Sequence, residues 1–157
     1  ADSISNINSR FFEIDNCQPT IQMGYAELNF VLAEACLRGW IDGDANSYYH
    51  KGIEASMNFA ATYTPLAYRH NREITDDYIQ SFLDKPELQL GAKESTFEND
   101  LNKVLTQKYL DLFMHNTYTC YYDFRRTGYP KLPVNPSTTM NTVPDKMPKR
   151  SIYEQRE

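Results

Sequence analysis

The sequence predicts an all-α, mainly helical protein that ends in a long, proline-rich irregular segment. Apolar residues recur at spacings of three and four in several stretches between residues 22 and 128, as expected for amphipathic helices. Residues that start or stop helices stand at the ends of these stretches. Five prolines then lie between Pro130 and Pro148, and proline does not continue a helix.

The first helix is predicted from Gln22 to Arg38, with Gly39 as a left-handed C-cap. Its buried stripe is predicted to consist of Tyr25, Leu28, Leu32, Ala35 and Cys36. The charged side chains of this helix, Glu27, Glu34 and Arg38, are expected on the opposite side. The alanines Ala26, Ala33 and Ala35 leave room for a second helix to approach closely.

A second helix is predicted from Ala45 to Thr62, because the turn Asp42-Gly43-Asp44 offers an aspartate cap in front of it. Its stripe is Tyr48, Tyr49, Ile53, Met57 and Ala60. So short a turn predicts an αα-hairpin over residues 22–62, of the kind from which tetratricopeptide repeats are built. Because a lone hairpin cannot bury its stripes, we expect the 157-residue chain to be marginally stable in isolation.

Three further helices are predicted, preceded by one short extended stretch at Arg10 to Ile14. Thr75 caps a helix from Asp76 to Leu83. Ser95-Thr96-Phe97-Glu98 forms a capping box for a helix that reaches about His115. Thr117 caps a last helix ending near Gly128, which completes a helical region over residues 95–128. Residues 129–157 are predicted to be an extended, proline-rich loop, and residues 1–157 to form a single segment.

Charge and composition exclude several classes of protein. A net charge of −5 argues against nucleic-acid binding, which calls for a clustered basic surface. Cys17, Cys36 and Cys120 form no CxxC pair, and a disulfide between two of them stays open. No stretch is apolar enough to span a membrane, and the start of the chain lacks the features of a signal peptide.

No catalytic motif is present in the sequence. GxSxG, Walker, GxGxxG and HExxH patterns are all missing, and His50, His70 and His115 lack the spacing of metal ligands. We therefore expect no enzyme activity, no catalytic or metal-binding residues and no cofactor.

The segment from Thr117 to Pro136 combines tyrosines with charged residues, and two interpretations are open. The aromatic residues could stack on sugar rings while Asp123, Arg125 and Arg126 bind hydroxyl groups. Alternatively, the aromatics anchor the following loop and the charged groups form structural ion pairs, of which Asp123 and Arg126, one helical turn apart, are an example. We favour the structural interpretation. Trp40 raises the same question, and packing next to the Gly39 cap is favoured for it.

Four blocks of sequence resemble the SusD/RagB family of nutrient-binding outer-membrane lipoproteins of Bacteroidetes. In order, they are Tyr25–Ala35 with Arg38-Gly39-Trp40-Ile41, Thr106–Phe113, Tyr122–Pro130, and Leu132–Pro136 with the Arg150–Tyr153 run. Their order and distances are similar to those of the family, and they cover most of residues 22–153.

The resemblance implies a non-enzymatic protein at the cell surface that binds an oligosaccharide or polysaccharide and presents it to a TonB-dependent transporter. It also implies that this chain is the C-terminal part of a longer protein, whose lipid anchor is absent from this chain. The ligand-binding residues are unknown, and the glycan contacts are expected outside this segment. The alternative is a tetratricopeptide-like protein–protein adaptor, gripping a peptide with Asn46, Tyr48 and Lys51.

Overall fold

A computed structural model describes residues 6–134, 143, 146 and 147, and within these residues the chain is helical and has no β-strand. The helices are α1 (Arg10–Glu13), α2 (Tyr25–Leu37), α3 (Ala45–Tyr63), α4 (Asp76–Leu83), α5 (Phe97–Leu112) and α6 (Thr117–Thr127). Short 3₁₀ turns at Leu66–Tyr68 and Pro86–Leu88 lie in the connections. α2 packs against α3 and α5, α4 packs on α3, and α6 packs on α5.

α2 and α3 pack together as the predicted hairpin requires, although α2 begins at Tyr25 rather than Gln22; the predicted caps Gly39 and Asp44 are both present. The Asp44 side chain accepts a hydrogen bond from the backbone N–H of Asn46 and starts α3. Gly39 follows α2 with a φ of +68°, the left-handed conformation that glycine adopts without a steric penalty. Thr75 caps α4, which has the predicted bounds.

Two other caps differ from the prediction by one residue. Thr96, rather than Ser95, is the N-cap of α5, and its hydroxyl accepts from the N–H of Asn99. Ser95 instead donates to the buried carboxylate of Asp100. Asn116, rather than Thr117, caps α6. In each pair both side chains can cap, so the local sequence does not distinguish them.

The extended stretch predicted at Arg10 to Ile14 is wrong, because these residues form the single turn α1 and its C-cap. The side chain of Asn8 accepts from the N–H of Arg10 and supports the turn. The guanidinium of Arg10 then donates to the carbonyl of Tyr63, at 2.9 Å, which fixes this turn against the end of α3. A contact with a residue so distant in sequence leaves no local signal.

The predicted buried stripe of α2 is also wrong. Tyr25 is 64% exposed and Leu28 is 43% exposed. The face that packs on α3 and α5 instead carries Ala26, Phe30 and Ala33, together with Glu27 and Glu34, which were expected outside. α2 is apolar on both faces, so hydrophobic periodicity could not select the inner one.

The core lies between α2, α3, α4 and α5. Its members are Ala26, Phe30, Ala33, Tyr49, Ile53, Ile79, Leu83, Leu88 and Val104. Phe30 and Tyr49 meet edge to face with ring centroids 6.3 Å apart, a favoured geometry for aromatic pairs. Gly52 faces Phe30 so closely that an added Cβ would lie 2.7 Å from a ring carbon.

Replacing Gly52 with alanine is therefore expected to destabilise the protein. Alanine favours a helix by about 1 kcal/mol over glycine, but overpacking a core costs about 1–3 kcal/mol, and Phe30 is only 1% exposed. We expect a net loss of up to about 2 kcal/mol in urea unfolding. The double variant Gly52→Ala, Phe30→Leu should lose less than the sum of the two single variants. A stabilised Gly52→Ala protein would contradict this packing.

The proline-rich segment predicted over residues 129–157 lies mostly outside the described residues, as do the resemblance blocks beyond residue 134. Residues 129–134 are irregular, as predicted, and the backbone N–H of Lys131 donates to the side chain of Asn102 on α5. All three cysteines, Cys17, Cys36 and Cys120, are free thiols. In the described part of the chain, no helix combines the length and apolarity of a membrane span.

Candidate functional site

A chain of charged side chains joins α2, α5 and α6 in the interior. Lys108 of α5 is only 8% exposed in its side chain, and its Nζ lies 2.9 Å from the Asp123 carboxylate of α6 and 3.8 Å from that of Glu27 on α2. Asp123 also accepts from Arg126, at 2.9 Å. The local ion pair predicted for Asp123 and Arg126 is therefore present, and it forms part of a larger network.

Glu34 forms the second centre of this network. Arg126 binds both of its carboxylate oxygens, at 2.5 and 2.8 Å, and the Nε of Arg38 donates to it at 2.7 Å. This paired geometry is the strong form of an arginine–carboxylate contact. It ties the end of α6 to the C-terminal part of α2, so the aromatic and charged segment after Thr117 is held in place by α2.

The two glutamates of α2 differ in their titration. Burial raises the pKa of Glu27, and the nearby Lys108 offsets this only in part. Burial also acts upward on the pKa of Glu34, but the hydrogen bonds from Arg126 and Arg38 outweigh it and lower the pKa below its ordinary value. We therefore assign both carboxylates a structural role, in ion pairs that join α2 to α5 and α6.

The aromatic residues of the same segment differ in how far they are exposed to solvent. Tyr118 and Tyr122, four residues apart on α6, are 74% and 58% exposed. Tyr129 is half-buried and Pro130 is buried. Trp40, for which packing was favoured, is 68% exposed, and the Arg38 guanidinium lies 5.2 Å from its ring centroid. Of the aromatic residues considered for sugar stacking, Tyr118, Tyr122 and Trp40 are accessible.

A cleft of about 720 Å³ lies between the end of α3, the loop that follows it and α4. Its floor is apolar and includes Met57 and Ile74, and two tyrosines, Tyr68 and Tyr78, line it. Its size is that of a small-molecule site. The sequence does not predict this cleft, because the segment between α3 and α4 contains no recognisable motif.

The surface predicted to bind a peptide in an adaptor, formed by Asn46, Tyr48 and Lys51, makes contacts within the chain itself. The Asn46 side chain accepts from the N–H of Leu90 at 2.8 Å and donates to Gln89 at 3.2 Å. Lys51 is exposed and lies over the ring of the half-buried Tyr48. With Asn46 holding the 89–90 loop, these residues do not form a free peptide-binding row.

A second polar cluster surrounds His115. The Gln18 amide lies 3.1 Å from Nε2 of His115 and accepts from the buried Arg10 at 2.9 Å. Burial lowers the pKa of His115 below its ordinary value of 6.5, and the nearby Asp111 opposes this only in part. These contacts dock the N-terminal segment on the end of α5. Among the described residues, no group of histidine, cysteine or acidic side chains could hold a metal ion.

The lowered pKa of His115 predicts a loss of stability on acidification. Below about pH 6.5 the unfolded chain takes up a proton that folded His115 resists, so stability falls from that pH down to the folded pKa. Replacing His115 with glutamine should make the decline between pH 7 and 5 shallower in urea unfolding. Equal slopes in the two proteins would contradict the assignment.

Comparison with known proteins places this chain in a family. Residues 1–154 match a SusD-like family model described as "Starch-binding associating with outer membrane". No curated protein matches the chain. Structural similarity is found instead among solved proteins of Bacteroides.

Three solved structures illustrate this. One SusD homologue from Bacteroides fragilis NCTC 9343 is 50% identical over 87% of this chain with a TM-score of 0.77, and a second from the same strain is 34% identical over 88% with a TM-score of 0.69. An outer-membrane protein of Bacteroides vulgatus ATCC 8482, for which a role in nutrient binding has been suggested, is 26% identical over 93% with a TM-score of 0.73. The chain spans only 29%, 28% and 30% of their respective lengths. With the family model matched over nearly its whole length, the chain belongs to the SusD-like, or SusD/RagB, family of outer-membrane nutrient-binding proteins.

Proposed function

We propose that this chain is part of a glycan-binding component of an outer-membrane nutrient-uptake complex, which presents an oligosaccharide to a TonB-dependent transporter. The single observation that carries the proposal is the family match over residues 1–154. In this proposal the protein is a surface-exposed lipoprotein and a binding protein without enzyme activity.

We further propose that residues 1–157 are the C-terminal portion of a protein of ordinary family length. The coverage of the solved relatives, 28–30% of their chains, supports this. The role of this portion is that of a scaffold. The ion pairs of Lys108 with Asp123 and of Glu34 with Arg126 bind its three central helices to one another.

The experiment uses the full-length protein on a broad panel of polysaccharides in affinity electrophoresis. A retarded band with at least one glycan is expected, and an outer-membrane transporter should co-purify from native membranes. Lack of retardation over the panel together with lack of a transporter would refute the proposed function. Retardation without a transporter would keep the glycan-binding role and reject the presentation role.

Substitution of exposed aromatic residues within these 157 residues tests where the glycan binds. We expect Trp40→Ala and Tyr78→Ala to change the dissociation constant of the full-length protein for the glycan by less than about twofold, because we place the glycan contacts outside this chain. Removing an aromatic ring that stacks on a bound sugar would instead raise the dissociation constant by more than about tenfold. Isothermal titration with the glycan found by electrophoresis measures this. A loss above tenfold for Tyr78→Ala would instead place the glycan in the cleft beside α4.

A further inference from the structure

The cleft between the end of α3 and α4 has the lining of a site for an apolar small molecule. Its volume of about 720 Å³ is typical of small-molecule sites. Apolar side chains from the last turns of α3 and from the following loop line it, namely Met57, Ala60, Ala61 and Ile74. Tyr68 and Tyr78 line it as well. An apolar lining with two aromatic rings favours a ligand with a flat, apolar body.

The polar groups in the walls of the cleft are mostly bound within the protein. The guanidinium of Arg69 donates to the backbone carbonyl of Thr64 at 2.8 Å. The phenol of Tyr68 donates to the carboxylate of Glu13 at 2.9 Å, and the side-chain amide of Asn8 donates to the backbone carbonyl of Tyr68 at 2.9 Å. These bonds fix the walls before a ligand enters. They also leave few groups to bind the many hydroxyls of a sugar.

The cleft carries an excess of positive charge, although the whole chain has a net charge of −5. Two arginines, Arg69 and Arg72, line it together with one acidic residue, Glu73. Arg72 is exposed, and its guanidinium makes no hydrogen bond or ion pair within the described part of the chain. A guanidinium matches the two oxygens of a carboxylate, so the free group favours a ligand with a carboxylate.

The loop that carries Arg72 has an uncommon backbone conformation. His70 and Asn71, directly before Arg72, have positive φ angles of 51° and 58°. The backbone N–H of Arg72 donates to the carbonyl of Arg69 at 3.0 Å and closes the turn. Residues other than glycine are seldom found in this conformation, and those that are cluster at ligand sites. The turn therefore supports a binding role for the edge of the cleft.

We propose that this cleft binds a small amphipathic anion, a molecule with a flat apolar body and one carboxylate. The body contacts the apolar lining and the rings of Tyr68 and Tyr78, and the carboxylate pairs with the guanidinium of Arg72. This site is separate from the glycan site, which the proposed function places outside this chain. The inference is therefore independent of glycan binding.

Isothermal titration of the full-length protein at pH 7 tests the site with 4-phenylbutyrate, its neutral amide and 4-phenylbutylamine. We expect a dissociation constant below about 1 mM for 4-phenylbutyrate and at least about tenfold weaker binding of the amide, which lacks the charge-assisted contact. Arg72→Met should weaken 4-phenylbutyrate about tenfold and leave the amide unchanged, whereas Tyr78→Ala should weaken both ligands. The matched control is Arg125→Met, an exposed position on α6 outside the cleft, and it should change neither affinity.

Several outcomes would overturn the proposal. They are a lack of binding of 4-phenylbutyrate, tighter binding of the amine than of the carboxylate, and an affinity unaffected by both Arg72→Met and Tyr78→Ala. Each variant is compared after its melting transition has been shown to match that of the unmodified protein. Glycan affinity is then measured in saturating 4-phenylbutyrate and should not change. Displacement of the glycan by 4-phenylbutyrate would show that the cleft belongs to the glycan site and reject a separate ligand.

Discussion

Replacing Lys108 with methionine is expected to destabilise the protein by about 3–5 kcal/mol, the usual consequence of removing one member of a buried ion pair. Methionine fills a similar volume, so the loss is electrostatic. In the unmodified protein the Nζ of Lys108 lies 3.8 Å from the carboxylate of Glu27 and 2.9 Å from that of Asp123. The substitution leaves these two buried carboxylates near each other without their shared cation. One oxygen of Glu27 already has no hydrogen-bond partner among the described residues.

The signature of this mechanism is its pH dependence. In Lys108→Met the penalty should shrink as the pH falls from 7 to 5, because a protonated carboxyl no longer needs a cation. Adding Glu27→Gln should recover part of the loss at pH 7. Lys51→Met, at an exposed position on α3, is the matched control and should change the free energy of unfolding by less than about 0.5 kcal/mol. A penalty independent of pH and of Glu27 would show that lost packing, rather than charge, is responsible.

Replacing Phe30 with alanine is expected to cost about 3–5 kcal/mol. Phe30 is 1% exposed, contacts the ring of Tyr49 and packs against Gly52, so its removal leaves a cavity between α2 and α3. The backbone of two packed helices can close such a cavity only in part. Urea unfolding of the full-length protein measures the loss, and the slope of the free energy against urea should stay unchanged.

Phe12→Ala is the control for Phe30→Ala. Phe12 is 72% exposed, so the same change in side chain removes few contacts and should cost less than about 0.5 kcal/mol. A combined Phe30→Ala, Gly52→Ala variant should be less unstable than the two losses added together, since the new methyl group occupies part of the cavity. Additive losses would mean that Gly52 and Phe30 do not share this space.

The local sequence alone determined roughly where α2 to α6 lie, and it identified the caps Gly39, Asp44 and Thr75. Asp44 and Thr75 have side chains that satisfy free N–H groups a few residues ahead, and Gly39 adopts a conformation that most residues resist. The pair of Asp123 and Arg126 was predictable for the same reason, because one helical turn brings them together. The family, too, could be identified from short blocks of sequence.

The tertiary structure decided which face of α2 is inside. That helix is apolar on both sides, so its periodicity carries no preference, and the choice depends on partners such as Arg126, which is 92 residues away from Glu34. The cleft beside α4 and the docking of Arg10 on Tyr63 likewise arise between segments distant in sequence. A side-chain cap bonds to an N–H group within one helical turn, so neighbouring residues in the sequence are enough to predict it. Burial of charge depends on groups that only the fold brings together.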